Sequence, residues 1–347
     1  MILTPGQLYF VNEQDVRTGE RSRYFKIGIV RDAADRDSKD RLLEHQTGNP
    51  RKLCIVENLT MPAVEAIETN LHYLFARNRV MGEWMEFTDV ELQSAIAKAK
   101  ELAFEMEVNH SDFELAETLK DKVSNGSKLE ASEDAQDLFS EYLDYKEISK
   151  ICTDLLTKYD KYLNSAIEQG VDVSNVATVQ TRAGAKKFSE KLFAEKYPDL
   201  FEAFSDKEYP VKGSFRMALA KDWNPDVSLL NEDQVNAIAS LQDQLESAEY
   251  SLQTTLELHE KHLGVLEIQK FAQWKLDIVK NKLRVLTGEF DGIEGVCTWK
   301  REAKESITLR KAELKAQHPV EYEACMIQGE GTTALIVDPM AAQSAAE

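Results

Sequence analysis

Two apolar runs with a polar break between them constrain this chain most. QLYFVNE (7–13) and RYFKIGIV (23–30) have strand length and strand composition, and the segment that joins them is polar and contains Thr-Gly-Glu. The pattern predicts an antiparallel hairpin. The second run carries two residues that a buried strand resists. Lys26 brings an ammonium into an apolar layer, which is costly unless the charge is paired. Gly28 marks a bulge, or a place where a ligand or another backbone comes close. The plain alternative is an edge strand with Lys26 turned to solvent.

The next residues alternate between helix and strand signals. DSKDRLLEHQ reads as a short helix stopped by TGNP. KLCIVENL (52–59) reads as a third strand. MPAVEAIETNLHYLFARN (61–78) has proline in its first turn and Val64, Ile67, Leu71, Leu74 and Phe75 on one stripe, which predicts a helix. EWMEFT is a short strand, and DVELQSAIAKAKELAFEME is a helix with Asp89 near its start. The order ββαβαβα describes an α+β domain over residues 1–108, a small antiparallel sheet flanked by helices.

Residues 109–136 read as a helix and a linker, with VSNGSKLEASEDAQ (123–136) as the linker. The remainder reads as mainly α with long helices and short strands. Asn231–Leu286 suggests a long helix or helical hairpin, with Gly264 a candidate break. Residues 176–204 can be laid on 296–325, so that Thr178 falls on Thr298 and Pro198 on Pro319. Two helical/αβ repeats over 137–220 and 221–338 follow from this, with a disordered tail at 339–347. Helices so rich in Leu, Glu and Lys also suit a coiled-coil dimer.

The net charge of −19 is uneven. Residues 1–100 hold 14 Lys/Arg and 15 Asp/Glu, so the remainder carries −18. Such a region repels nucleic acid at long range, yet salt confines that repulsion to about 8 Å. A DNA-binding role therefore suits the leading domain better than the acidic part. Cys54, Cys152, Cys297 and Cys325 are far apart and form no zinc pattern, which makes free thiols the expectation. With no apolar run of membrane-spanning length and no basic-then-apolar leader, the expectation is a cytoplasmic protein with no membrane partner.

Five residues on the first elements suit one site. Tyr9 and Lys26 lie on adjacent strands, Arg41 and His45 are i,i+4 on a short helix, and Glu68 borders the apolar stripe of the next helix. In order, LYF, FKIG, DRLLEHQTGNP, AIETNLHYLF and GEWMEF resemble the GIY-YIG nuclease domain over roughly residues 6–90. They resemble especially its phage-rich branch, in which Lys-Ile-Gly stands where Tyr-Ile-Gly is expected. Gln7-Leu8-Tyr9 departs from Gly-Ile-Tyr, the segment before Arg41 looks longer than usual, and a terminal asparagine has no clear counterpart.

The resemblance implies metal-dependent cleavage of DNA with one Mg²⁺ or Mn²⁺ on Glu68, leaving 5′-phosphate and 3′-hydroxyl ends. It matches Tyr9, Lys26, Arg41, His45 and Glu68 to the catalytic positions. Phosphodiester hydrolysis needs an activated water, charge compensation on the phosphate and help for the leaving oxygen. Tyr9 with Lys26 suits a general-base pair, since a nearby cation lowers a phenol's pKa. Arg41 suits a phosphate clamp, with Arg36 a rival for that role, and His45 can orient the water. Gly28 would let the phosphate backbone approach the strand. His72 is open as a second metal ligand, though the resemblance implies packing. Trp84 is open as core, groove wall or a base-stacking surface.

Residues 283–337 resemble the C-terminal tail of some phage-recombinase exonucleases, which implies a targeting, self-association or partner-binding unit within 137–338. Trp299, Lys300, Thr178 and Arg182 are candidate DNA contacts there. A phage or prophage DNA endonuclease in a bacterial host cell is the reading these features support. The alternatives are a catalytically inactive nucleic-acid-binding or assembly protein that keeps the fold, and a nuclease held inactive by its acidic half.

Overall fold

The computed structural model describes residues 3–32, 37–174, 176–220 and 223–337. Arg36 and the tail 339–347 lie outside the described residues. The hairpin forms as β1 (Gly6–Gln14) and β2 (Arg21–Arg31), followed by α1 (Ser38–Gln46), β3 (Lys52–Met61), α2 (Val64–Leu74), β4 (Arg79–Met81), β5 (Trp84–Glu86), α3 (Asp89–Val108) and α4 (His110–Lys120). The five strands make one antiparallel sheet in the order β3-β1-β2-β5-β4.

Strand alternation gives the sheet two different faces. Leu8, Phe10, Phe25 and Ile27 point to the face covered by α2 and α3, where they join Ile67, Leu71, Ala95 and Ala99 in a continuous core. Tyr9, Val11, Val30 and Leu53 point the other way, and Leu42 of α1 closes over them. A nine-residue helix is only about 13 Å long. The second face is therefore covered in part, and the uncovered part becomes a cleft.

Local chemistry fixes the helix ends. Asp37 caps α1 by accepting from the Lys39 and Asp40 amides, and the Asp40 side chain returns a bond to the Asp37 amide. Thr88 and Glu91 form the same reciprocal cap on α3. The predicted helix 61–78 is shorter than its pattern, ending at Leu74 with a single 3₁₀ turn at 76–78.

The second half is built on two helices of equal length, α5 (Glu133–Glu168) and α9 (Leu252–Thr287), each about 54 Å long. They run antiparallel: Tyr162 meets Thr255, Tyr159 meets His259, and Thr153 meets Gln269. α8 (Glu232–Ser247) folds back on α9 through Lys261, which donates to Ser240 Oγ at 2.6 Å. The covered face of α9 is thus taken by elements of its own chain. Gly264 does not break α9; it is buried in mid-helix, where a Cβ would collide with the Arg77 guanidinium. Trp274 and Ile278 of α9 enter the core of the leading domain, and the Trp274 indole donates to Glu105 at 2.8 Å.

After each long helix come short strands, a pair of short helices, and further short strands, two then three strands in the first series and three then two in the second. The first series is β6 (Ala177–Arg182), β7 (Lys186–Phe188), α6 (Glu190–Lys196), α7 (Pro198–Ala203), β8 (Ser205–Glu208), β9 (Val211–Gly213) and β10 (Arg216–Met217). The second, after the short β11 (Gly292–Ile293), is β12 (Cys297–Thr298), β13 (Arg301–Ala303), β14 (Ser306–Leu309), α10 (Lys311–Gln317), α11 (Pro319–Glu323), β15 (Met326–Gln328) and β16 (Thr332–Val337). The two run alongside each other in reverse, pairing β6 with β16, β7 with β15, β8 with β14, β9 with β13 and β10 with β12. The first strand of each series therefore pairs with the last of the other, as a twofold arrangement requires. Pro198 and Pro319 each open the second short helix.

Both ends of this ribbon sit in the helical core, through Ala177 and Val337 at one end and Met217 and Cys297 at the other. Its middle has a separate small core of Phe193, Phe204, Leu309, Leu314 and Cys325.

Two sequence expectations change here. Trp299 is buried beneath Phe215 and the Arg301 guanidinium, whose carbon lies 4.0 Å from the indole centre, so Trp299 does not reach DNA. Arg301 is itself buried and donates to the carbonyls of Leu119 and Gly288 at 2.7 and 2.6 Å. The polar stretch after α4 is pinned, not free: the Ser124, Asn125 and Leu129 amides donate to Arg301, Glu289 and Gly292 carbonyls. Lys300 is exposed and paired with Glu302 at 3.0 Å, and Thr178 and Arg182 are exposed. Among the described residues, no helix is long and apolar enough to cross a membrane. Cys152, Cys297 and Cys325 are buried free thiols, and Cys54 is half-buried.

Candidate active site

The site lies on the second face of the leading sheet. In the β1–β2 register Tyr9 stands opposite Gly28 and Val11 opposite Lys26, so all four share that face. Trp84 stands opposite Lys26 on the other side and joins them. Tyr9 and Lys26 are diagonal neighbours. The Tyr9 ring lies across Gly28: a Cβ there would sit 2.6 Å from the phenol oxygen. The glycine is needed by the tyrosine, which takes the space expected for a phosphate approaching the strand.

Tyr9 is 1% exposed, and burial pushes its pKa above the ordinary 10. The charge and a hydrogen bond from Arg41 oppose this, while the charges of Glu83 and Glu68 add to it. Sequence reasoning expected the cation to lower the phenol's pKa, but desolvation outweighs it. At neutral pH Tyr9 keeps its proton.

Lys26 has its answer in Glu83. The ammonium, 11% exposed, is ion-paired and hydrogen-bonded to the Glu83 carboxylate. Glu83 follows Gly82, whose φ of +58° makes the β4–β5 turn, and its carbonyl accepts from the Ile27 amide at 3.1 Å. Its charge reaches Tyr9, His45, Glu68 and His72. Sequence reasoning noted Gly-Glu-Trp yet assigned no role to its glutamate. The available signal was the strand lysine itself, which needs a carboxylate partner.

Arg41 and His45 come from α1. Arg41 is half-buried and bonded to Glu44 at 2.7 Å, which raises its pKa. His45 is half-buried, and burial, then the charges of Lys26 and Arg41, hold its pKa below the usual 6.5. Its imidazole is neutral at pH 7, and its buried Nε2 has no hydrogen-bond partner among the described residues.

α2 supplies the acid. Glu65 pairs with Arg31 at the end of β2, and Glu68 lies one turn further on. The Glu68 side chain is 18% exposed. Burial, then the Glu83 charge, push its pKa to about 7, against the opposing charges of Lys26 and Arg31. His72 Nε2 lies 4.0 Å from Glu68 Oε1, and burial pushes the imidazole down to about 4. Among the described residues no three His, Cys, Asp or Glu side chains converge as a metal cluster.

Gln46 holds the turn beside the site. Its amide donates to Asn49 and Arg51 carbonyls and accepts from the Leu53 amide at 2.8 Å, which staples the Thr-Gly-Asn-Pro turn. Between this turn and the β4–β5 hairpin lies a cleft of about 580 Å³, lined among others by Tyr24, Lys26, His45, Leu53, Met81 and Trp84. Of the residues expected from sequence, Lys26, His45 and Trp84 open into it. Tyr9, Arg41 and Glu68 stand behind them, linked electrostatically.

No family model matches the chain, and no curated protein or solved structure matches it.

Proposed function

We propose that the leading domain is a metal-dependent DNA endonuclease of the GIY-YIG type, acting in the cytoplasm of a bacterial host as a phage or prophage protein. The observation that carries this reading is the meeting of a phenol, two cations, a neutral imidazole and a carboxylate of raised pKa beside one open cleft. Arg41 and Lys26 balance the charge of the scissile phosphate, and the phosphate competes with Glu83 and Glu44 for them. Tyr9, which holds its proton, donates a hydrogen bond to the phosphate or the attacking water. His45 Nε2, neutral and unpartnered, accepts the proton of that water.

The acid fits a single divalent cation. A desolvated carboxylate beside a second carboxylate is a place that a cation relieves, and Mg²⁺ binds through one or two carboxylates plus phosphate oxygens and waters. Glu68 would hold Mg²⁺ or Mn²⁺, which supplies Lewis-acid charge to the phosphate when bound. Residues 137–338 serve partner binding or self-association.

A second reading has its own support. Both cations are already paired with carboxylates of the chain, Lys26 with Glu83 and Arg41 with Glu44, as suits a protein that binds nucleic acid without cutting it. Supercoiled plasmid with Mg²⁺ or Mn²⁺ separates the two. Nicking that falls at least ~100-fold in both Glu68→Ala and Tyr9→Phe supports the enzyme. Binding without nicking in either metal supports the second reading.

A further inference from the structure

We propose that the cleft beside Lys26 holds a single unstacked nucleobase, so that the DNA this protein acts on carries unpaired nucleotides at the site of action. The inference rests on the nucleic-acid reading above and names its substrate class.

The strand register builds the pocket. Tyr24 and Lys26 are two residues apart on β2 and share a face, and Trp84 stands opposite Lys26 on β5. The ammonium is therefore flanked by two aromatic rings at neighbouring positions of one surface. All three line the same cleft, with Leu53 and Met81 as further apolar wall. Its volume, about 580 Å³, lies in the range of small-molecule sites and is too confined for a duplex. Its lining is more apolar than polar.

The occupant follows from continuity with the phosphate site. Lys26 and His45 belong to the catalytic cluster and also line the cleft. A ligand whose phosphate meets Lys26 and His45 extends, one nucleotide away, between Tyr24 and Trp84. A base has an aromatic face to offer these rings and polar edges to offer Asn49 and Thr47, which also line the cleft. A paired base cannot enter, because its faces are covered by its neighbours. Unstacking costs a few kcal/mol and least where the base is already unpaired. Stacking on an aromatic side chain returns about 1–3 kcal/mol per base, whatever the base. The pocket thus favours unpaired DNA without reading sequence.

The test uses the full chain as Glu68→Gln, without metal, so that binding is read apart from cleavage. Three DNAs of equal length are compared: a single strand, a duplex with a one-nucleotide bulge, and a fully paired duplex. 2-Aminopurine replaces the bulged base. The expected result is at least ~10-fold tighter binding of the first two, with a change in 2-aminopurine emission on binding. Adding Trp84→Ala or Tyr24→Ala should cost ~5- to 100-fold on unpaired DNA and leave the paired duplex unchanged. Trp84→Phe should restore most of the loss, which separates stacking from misfolding. Equal affinity for all three DNAs overturns the proposal, as do Ala variants that bind unpaired DNA as the parent does. If that happens while the wild-type chain still nicks plasmid, the pocket assignment falls and the nuclease reading stands. Absence of binding to every DNA, together with no nicking of plasmid by the wild-type chain, removes both.

Discussion

The molecule buries two clusters of phenols and imidazoles, one in each half, and they differ in kind. In the leading domain, Tyr9, His45 and His72 sit among Lys26, Arg41, Glu68 and Glu83, beside a cleft. In the helical half, Tyr159, Tyr162, His259 and His262 meet between α5 and α9 with Thr255. The Tyr159 and His262 rings are 4.5 Å apart, and Tyr159 Oη lies 3.2 Å from His259 Nδ1. Burial pushes the Tyr159 phenol far up and the His262 imidazole to about 3, so these two stay neutral at pH 7. The Asp160 carboxylate adds to the shift of Tyr159, but behind burial. Buried polar rings bonded across two helices, as Tyr159 is to His259 and Tyr162 to Thr255, orient those helices. Buried charges of both signs left open to solvent make a site.

The two clusters carry opposite pH signatures, and the largest expected effect comes from Glu68. Its pKa is raised from 4.5 to about 7. Below pH 4.5 the carboxyl is protonated in the folded and unfolded chain alike and costs nothing. Between pH 4.5 and 7 the unfolded chain gives up this proton while the folded one keeps it, so stability falls over that range and levels off above pH 7, where the folded protein bears the buried charge. Glu68→Gln should therefore match the wild type at pH 4.5 and exceed it by about 3 kcal/mol at pH 8. Denaturant midpoints across that range check this. Manganese should raise the wild-type midpoint at pH 8 and leave the variant unmoved; a flat difference between the two proteins breaks the contrast.

His262 titrates in the other direction. Its pKa is lowered from 6.5 to about 3, with burial the first cause and the neighbouring His259 the second. The unfolded chain takes up a proton below pH 6.5 that the folded chain refuses, so the wild type loses stability as pH falls. Relative to His262→Gln, the loss between pH 6.5 and 4.5 should be about 2 kcal/mol. The slope of the difference is the readout, since the substitution also alters packing. DNA cleavage at pH 7.5 should be unchanged.

Glycines divide the halves in the same way. A Cβ on Gly28 meets the buried ring of Tyr9, whereas one on Gly264 meets the far end of the Arg77 side chain, which can swing aside. Gly28→Ala should cost about 1–2 kcal/mol by overpacking and reduce cleavage. Gly264→Ala should stay within about 1 kcal/mol of the wild type, helped by alanine's helix propensity. Equal losses in thermal unfolding would erase the distinction.

Much of this arrangement was legible in the sequence because it depends on local signals. Alternation placed β1 and β2, and with them Tyr9, Lys26 and Gly28. The Pro62 turn and the stripe from Val64 to Leu71 placed Glu68 at the border of α2. What was hidden depends on pairing between distant segments. Glu83 is 57 residues from Lys26, and only the β2–β5 register brings them together. The protonated Tyr9 was misread because the charge of Arg41 is visible in sequence and the depth of burial is not. Trp299 looked like an exposed strand residue until Phe215 and Arg301 covered it. Gly264 looked like a helix break because sequence does not show the Arg77 side chain that fills the space beside it.

The smallest expected effect tests whether the site's charges behave as a solvent-facing set. Glu44 is 46% exposed and Arg41 30%, with 2.7 Å between their charged atoms. An exposed i,i+3 pair contributes little, so Glu44→Ala should change unfolding free energy by less than about 0.5 kcal/mol, and by less still in high salt. Its effect on DNA should be larger than on stability. If Arg41 clamps phosphate, Glu44 competes for the same guanidinium, and removing it should tighten metal-free DNA binding ~2- to 5-fold at low salt. An unchanged affinity would mean that Arg41 is spent on Tyr9, and it would move the site's phosphate contact to Lys26.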